Sequence, residues 1–321
     1  MNAVTFLSPV TEEIKLVEER MRAQADESHP DLRAALEHLL AAGGKRIRPT
    51  LGLLVGNMLG APLEKLVTLG AAVELLHTAT LVHDDLIDGS LLRRGMVTLN
   101  ARWSPPATVL TGDFLFARAA ILAADTDHLP LMKLFSETLA IIVNGELTQM
   151  FTSRGLINRD NYNKRIYAKT ASLFEMTARS AAMVSPASEE TIEAMRDFGY
   201  QLGMAFQIVD DILDFTGDQA SVGKPLGSDL HNGLVTLPAL YYAEANPNDP
   251  DVLSLPNGGW TNNDNMTRLV DNIRASGFTK QAMAEAEQHI DNALLRLEKM
   301  EPSAERDALE NLAKYFVDRK V

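Results

Sequence analysis

Two aspartate clusters share one spacing: Asp84-Asp85-Leu86-Ile87-Asp88 and Asp210-Asp211-Ile212-Leu213-Asp214. Each interrupts an otherwise apolar stretch with helical periodicity, where isolated charges are costly. On a helix, positions i and i+4 share a face about one turn apart, so Asp84 converges with Asp88 and Asp210 with Asp214. The aspartate at i+1 points elsewhere. Converging carboxylates repel and raise one another's pKa unless a cation sits among them. Hard divalent cations bound through oxygen meet that need. Mg²⁺ fits best, because it takes one or two carboxylates and fills its other positions with water and substrate phosphate.

An anionic ligand also needs local positive charge, because the chain as a whole carries a net charge of -13. Gly43-Gly44-Lys45-Arg46-Ile47-Arg48-Pro49 is one source: the glycines free the backbone to present Lys45 and Arg48 to a phosphate, or the segment is a helix-ending loop with solvated cations. Arg93-Arg94-Gly95, just beyond Asp88, either neutralises carboxylates or shares a phosphate with their metals. Lys169-Thr170 and Gly223-Lys224 are weaker signals individually. His77 lies seven residues before Asp84 and so on its helix face, as a ligand or as a core histidine. His83 beside Asp84 resembles half of a phosphohydrolase metal site, but His29, His38, His128, His231 and His289 form no tight motif to complete it.

The elements that position these residues read as helices. Thr11 before Glu12 and Glu13, Ser188 before Glu189 and Glu190, and Thr279 before an Ala-rich run are helix starts, and strand alternation is nearly absent. The segments from about Glu64 to Asp88 and Glu189 to Phe215 are the two that carry the clusters, and both should be deeply buried. Together they predict an all-α, single-domain helical bundle over residues 1–321, around a central cavity with a metal-lined mouth. Residues 246–263, rich in Asn, Pro, Gly and Asp, are the one linker-like region, a loop before the C-terminal helices. Met266 to Val321 reads as packing.

Composition narrows the function. The chain is 46% hydrophobic and 23% charged, ordinary for a globular fold. Its negative charge argues against nucleic acid or an anionic membrane surface as partner. With no cysteine there is no thiol nucleophile and no thiolate metal site. The start shows no basic segment followed by an apolar run, so a cytoplasmic location is expected. The apolar stretches Leu51 to Leu59 and Phe114 to Ala124 fall short of a membrane span, and no membrane insertion is expected.

Taken together, these residues resemble the trans-isoprenyl diphosphate synthase (polyprenyl synthetase) family from about Leu32 to Val321. The resemblance rests on the Gly43–Pro49 block, on Leu76-His77-Thr78-Ala79-Thr80-Leu81-Val82-His83 running into the first aspartates, on Arg93-Arg94-Gly95 and on Thr111-Gly112-Asp113-Phe114-Leu115. It continues through Gly145-Glu146, Gln149, Lys169-Thr170, Phe206-Gln207-Ile208-Val209 before the second aspartates, and Gly223-Lys224-Pro225-Leu226-Gly227-Ser228-Asp229-Leu230. It implies head-to-tail elongation of an allylic prenyl diphosphate by isopentenyl diphosphate, in a homodimer. Asp84, Asp88 and Asp210 would hold three Mg²⁺ on the allylic diphosphate, with Asp85, Asp211 and Asp214 supporting through water. Arg93, Lys169 and Lys224 would bind that diphosphate too. Lys45, Arg48, His77 and Arg94 would take the diphosphate of isopentenyl diphosphate, while Thr170 and Gln207 turn dipoles toward the allylic cation.

One position departs from the family pattern. Gly233-Leu234-Val235-Thr236-Leu237-Pro238 has leucine where a lysine is usual, so weaker binding of the allylic diphosphate is expected. Product length follows from the first acidic helix. Ala79 and Thr80, then Leu76, then Val73 recede from the aspartates by about 5.4 Å per turn, of the order of one isoprene unit. Members of the family that stop at fifteen carbons place aromatic residues at the positions of Ala79 and Thr80. Small residues there leave a tunnel open, for products of twenty carbons or more. Two rivals share the fold. A terpene cyclase would need a different second metal motif and more aromatic residues than the 6% here. A regulatory subunit of a heteromeric prenyl synthase would have degraded aspartate motifs, whereas both are intact.

Overall fold

The computed structural model describes residues 6–26, 28–152, 154–217 and 226–318. Within them the chain is a stack of helices with one small hairpin. The first half contains α1 (Thr11–Arg22), α2 (Pro30–Ala41), α3 (Ile47–Met58), α4 (Leu63–Ile87), α5 (Pro105–Ala124) and α6 (Leu129–Thr152). The hairpin β1 (Leu92–Arg93) and β2 (Met96–Val97) lies between α4 and α5. Next come α7 (Arg159–Ile166), a π turn (Tyr167–Ala171), α8 (Ser172–Met183) and α9 (Glu189–Thr216). Then follow α10 (Ser228–His231), α11 (Leu237–Ala245), α12 (Pro250–Ser254), α13 (Asn263–Ser276), α14 (Phe278–Leu297) and α15 (Ala304–Asp318).

Helix α4 is apolar around its whole circumference, and Leu66 to Leu76 form an unbroken buried run. Such a helix is stable only when surrounded, and α1, α3, α5 and α8 enclose it. Helix α9 starts as its sequence predicts, with the Ser188 hydroxyl accepting from the Thr191 N–H at 3.2 Å. Thr11 does not act in that way: it begins α1 itself, and its hydroxyl donates to the Leu7 carbonyl at 2.9 Å.

Two apolar clusters meet along α9. Phe198, Leu202 and Ala205 belong to the one built around α3, α4 and α8, while Ile208, Ile212 and Phe215 belong to the one built on α11, α13 and the start of α14. Helix α14 packs along α9 and α15 packs against α3, so residues 246–263 do not separate the C-terminal helices from the rest. Nor is that region a plain loop. Asp249 accepts from the Asp251 N–H at 2.8 Å and caps α12, which starts at Pro250.

The expectation about membrane-length segments also needs correction. Both α4 and α5 are long and apolar enough to cross a membrane. For α4 burial explains this, whereas only 39% of the apolar window of α5 is buried and part of the rest packs against the core. Leu110 and Ile121 are exposed along α5, as are Val143, Leu147 and Phe151 on the neighbouring α6.

Candidate active site

Both aspartate clusters occupy the C-terminal end of a long helix, Asp84 to Asp88 on α4 and Asp210 to Asp214 on α9, and neither helix has a basic residue in its last turn. The negative pole of each helix dipole therefore adds to the carboxylates, and the compensating charge must come from elsewhere. Lys169 is one source. Burial by itself would lower its pKa, but Glu146, Asp84, Asp229 and Asp88 together hold it above the usual value. The side chain keeps contact with solvent although protein atoms crowd around it. Burial and then Glu146 push the Asp84 carboxyl up to about 6, against the pull of Lys169.

Close helix packing puts Lys169 there. A Cβ on Gly145 would lie 2.4 Å from the Ala168 Cβ, so only glycine lets α6 approach the π turn and bring Glu146 beside Lys169. A Cβ on Gly203 would lie 2.4 Å from the Ala171 Cα, so α9 also meets that turn at backbone distance. One helical turn further, Gln207 faces Thr170, whose hydroxyl donates to its Oε1 at 2.6 Å. Within the turn, the Ser172 N–H reaches five residues back to the Tyr167 carbonyl. π turns of this kind interrupt helices frequently at functional sites.

The aspartates have different surroundings. Asp85 is buried and its two oxygens share the single Arg93 Nε–H, at 2.8 and 3.0 Å. Asp211 is buried as well, with Oδ2 taking the Tyr162 hydroxyl proton at 2.8 Å and Oδ1 the Gln207 amide at 2.9 Å. Burial, reinforced by Asp229, pushes its carboxyl up to about 7 in spite of those donors. Asp214 caps α10: Oδ1 accepts from the Ser228 N–H and hydroxyl at 3.1 and 2.7 Å, and Oδ2 accepts from the Asp229 N–H at 3.1 Å. Its oxygens are thus directed into the protein, where the sequence suggested a metal ligand beside Asp210. Among the described residues, no three His, Asp or Glu side chains stand close enough to hold a metal ion by themselves. The carboxylates fit a cation such as Mg²⁺ that brings water and phosphate oxygens of its own.

The basic residues form a second wall. Arg46 and Arg94 have left-handed backbones, with φ of 46° and 52°, in a region that residues other than glycine seldom adopt. At the hairpin tip, Arg94 and Gly95 (φ 76°) supply the two positive-φ positions of a tight two-residue turn. That turn separates two sequence neighbours: Arg93 binds Asp85, whereas Arg94 Nη1 donates to the Gly43 carbonyl. Arg46 is neutralised by Glu18 at 2.9 Å and by the buried Glu74 at 3.0 Å. Arg48 is not paired in this way. Its guanidinium lies 4.8 Å from the centre of the Phe174 ring, its buried Nε has no hydrogen-bond partner, and burial lowers its pKa to about 10 even with Glu74 and Asp210 nearby. Burial and four arginines, 48, 94, 93 and 46, hold His77 well below the usual imidazole range, so it is neutral at pH 7. Lys45 donates to the Tyr315 hydroxyl and stands over that ring at 5.0 Å.

Other expected residues are less exposed or lie elsewhere. Val73, Leu76 and Ala79 have no solvent exposure, so no open tunnel runs along them; Thr80, partly open, donates to the His77 carbonyl at 2.7 Å. His83 turns to α5, 3.1 Å from the Val109 carbonyl, and not toward a metal site with Asp84. Lys224 lies outside the described residues. Sequence reasoning missed Tyr162, Glu74 and Tyr315. A single aromatic residue in the polar helix α7 and a single acid in the apolar run of α4 were signals for the first two. Tyr315 gave none, because it comes from the far end of the chain.

The sequence profile of the polyprenyl synthetase family matches residues 29–271. The chain is 34% identical to the chloroplastic solanesyl-diphosphate synthase 2 of Oryza sativa subsp. japonica, over 98% of this chain and 79% of that protein. It is also 34% identical to heptaprenyl diphosphate synthase component 2 of Bacillus subtilis, over 99% and 90% of the two. The crystal structure of polyprenyl synthase from Caulobacter crescentus CB15, complexed with calcium and isoprenyl diphosphate, superposes with a TM-score of 0.91 at 32% identity, covering 100% of this chain and 98% of that one.

Proposed function

Because this chain belongs to the polyprenyl synthetase family and is a prenyltransferase, we propose that it extends an allylic diphosphate with isopentenyl diphosphate between the acidic ends of α4 and α9. Asp84, Asp88 and Asp210 are the residues to hold Mg²⁺ with the allylic diphosphate. The metal supplies neutralisation of the charge that develops on the leaving group. Lys169 and Arg93 add fixed positive charge to the same end, and Lys224 is assigned with them from the family pattern. Arg48, Arg94, Lys45 and neutral His77 bind the second diphosphate. As the allylic carbon–oxygen bond breaks, Thr170 and Gln207 present their oxygens to the cation. The isopentenyl double bond attacks that carbon, and a proton leaves with the released diphosphate. No protein nucleophile is needed.

Arg48 carries this reading. A half-buried arginine whose enclosed Nε has no partner, beside Arg94 and within the field of Asp210, is prepared for an anion beside a cation site. Products of twenty carbons or more are proposed, since Ala79 and Thr80 raise no aromatic barrier and the relatives above are named for solanesyl and heptaprenyl products. We assign the entry of the hydrocarbon to Thr80, which is partly open beside three packed residues. The exposed apolar faces of α5 and α6 fit a second chain, and we assign them to a homodimer.

The test is the purified chain alone, given Mg²⁺, isopentenyl diphosphate and labelled primers of five to twenty carbons. Elongation to medium or long products is expected. Inactivity that is relieved only by a second, different subunit would instead support the heteromeric reading, which the name of the Bacillus relative raises.

A further inference from the structure

We propose that Tyr162, acting through Asp211, is a positioning residue that fixes which end of the Gln207 amide faces the reacting carbons. Four side chains from three elements form one line of hydrogen bonds. Tyr162, 1% exposed on α7, donates to Asp211 Oδ2 at 2.8 Å. Gln207, one turn earlier on α9, donates through Nε2 to Asp211 Oδ1 at 2.9 Å. Its Oε1 receives the Thr170 hydroxyl proton from the π turn at 2.6 Å.

A glutamine amide has nearly the same shape after a half-turn that exchanges oxygen and nitrogen, so shape cannot fix its orientation; its hydrogen-bond partners must. Both Asp211 oxygens accept here, Oδ2 from Tyr162 and Oδ1 from Gln207. That arrangement takes the N–H₂ end of the amide and leaves its carbonyl oxygen to Thr170, on the side that the prenyl-transfer reading gives to the developing carbocation. With the amide reversed, N–H dipoles would face the cation and oppose it. Tyr162 makes the arrangement firm by engaging Oδ2, so that the carboxylate cannot rotate toward other donors and Oδ1 stays available to Gln207. Without that hydroxyl, a buried oxygen loses its donor and the carboxylate is drawn to the amide or to water.

The inference rests on the prenyl-transfer reading, and the experiment separates the two. Tyr162→Phe removes one oxygen atom. Its kcat is expected to fall about tenfold with KM for both diphosphates within about twofold, since the dipole acts on the cation and not on either ground state. In a Gln207→Leu background, the same change should lower kcat no further. Unchanged kcat, a loss confined to KM of the allylic substrate, or losses that multiply in the double variant would each overturn the proposal. If Tyr162→Phe does not fold, Asp211→Asn replaces it, because its amide both donates and accepts and so removes the constraint. The same kcat-only loss and the same non-additivity are expected, and multiplied losses overturn the proposal. Exchange of the Gln207 side-chain amide protons, followed by NMR without substrate, is a readout independent of turnover. Protection in the wild type that disappears in the variant supports the positioning even if the wild type forms no prenyl product; equal exchange in both overturns it.

Discussion

The aspartate clusters of α4 and α9 are the same motif with different occupations. On α4, Asp84 and Asp88 lie in the field of Lys169, and Asp85 is tied to Arg93. On α9, Asp211 is held by Tyr162 and Gln207, Asp214 caps α10, and Asp210 lies in the field of Arg48. Equal spacing thus produced two clusters with different partners, a lysine and an arginine on α4 and a tyrosine, a glutamine and a helix N-terminus on α9. An i, i+4 pair shares a helix face, but the chain that packs on that face decides whether both carboxylates stay available.

The largest test of this contrast is Asp84→Ala against Asp214→Ala. Loss of Asp84 should lower kcat/KM by about a thousandfold or more, as for removal of a metal-holding group. Loss of Asp214 should lower stability by about 0.5–2 kcal/mol, the range for a lost helix cap, and activity by a smaller factor. Steady-state assays and denaturant melts of the two variants measure both effects. Equal losses of activity with equal stability would erase the distinction.

Next in size is product length, also set at the α4 end. Thr80→Phe should shorten the product, read by chromatography of the dephosphorylated alcohols. An unaltered product spectrum would remove Thr80 from the hydrocarbon path. On the α9 side, Leu234 is half-buried one residue before Val235, whose carbonyl accepts from Arg165 at 2.8 Å. Leu234→Lys should lower KM for the allylic substrate by about tenfold or less, the order of one added charge-assisted contact. No change would mean that the leucine does not weaken that end.

The smallest expected effect is on stability against pH. Burial raises Asp84 to about 6 and Asp211 to about 7, so the folded chain holds these protons more tightly than the unfolded one. Their contribution favours the fold below the ordinary carboxylate range and is lost as pH rises through about 6 and about 7. Metal-free Asp84→Asn should therefore melt about 2 °C or more above wild type at about pH 8 and show no such gain at about pH 4. Calorimetry in a metal chelator measures this. A gain that is independent of pH would assign it to packing.

Much of the site was legible because its signals are local. Both helix ranges, the acidic ends and the Ser188 cap follow from periodicity and residue type, which act over one or two turns, whereas the grouping of basic residues with His77 came from the family resemblance. The hairpin at residues 92–97 was not foreseen, since two-residue strands carry no periodicity; it nevertheless separates Arg93 from Arg94. The packed state of Val73, Leu76 and Ala79 was hidden for another reason. Small and aliphatic residues line a tunnel or fill a core equally well, and the difference lies in what stands opposite.

The amino-acid sequence by itself determined the helical class, the two carboxylate motifs and the cations near them, because helix geometry converts spacing into a shared face without reference to the rest of the chain. Only the tertiary structure decided which partner each carboxylate meets, that Tyr162 stands behind Asp211, and that Tyr315 meets Lys45 across 270 positions. Those contacts join residues distant in the chain, and their energies depend on burial and on partners that no local window contains.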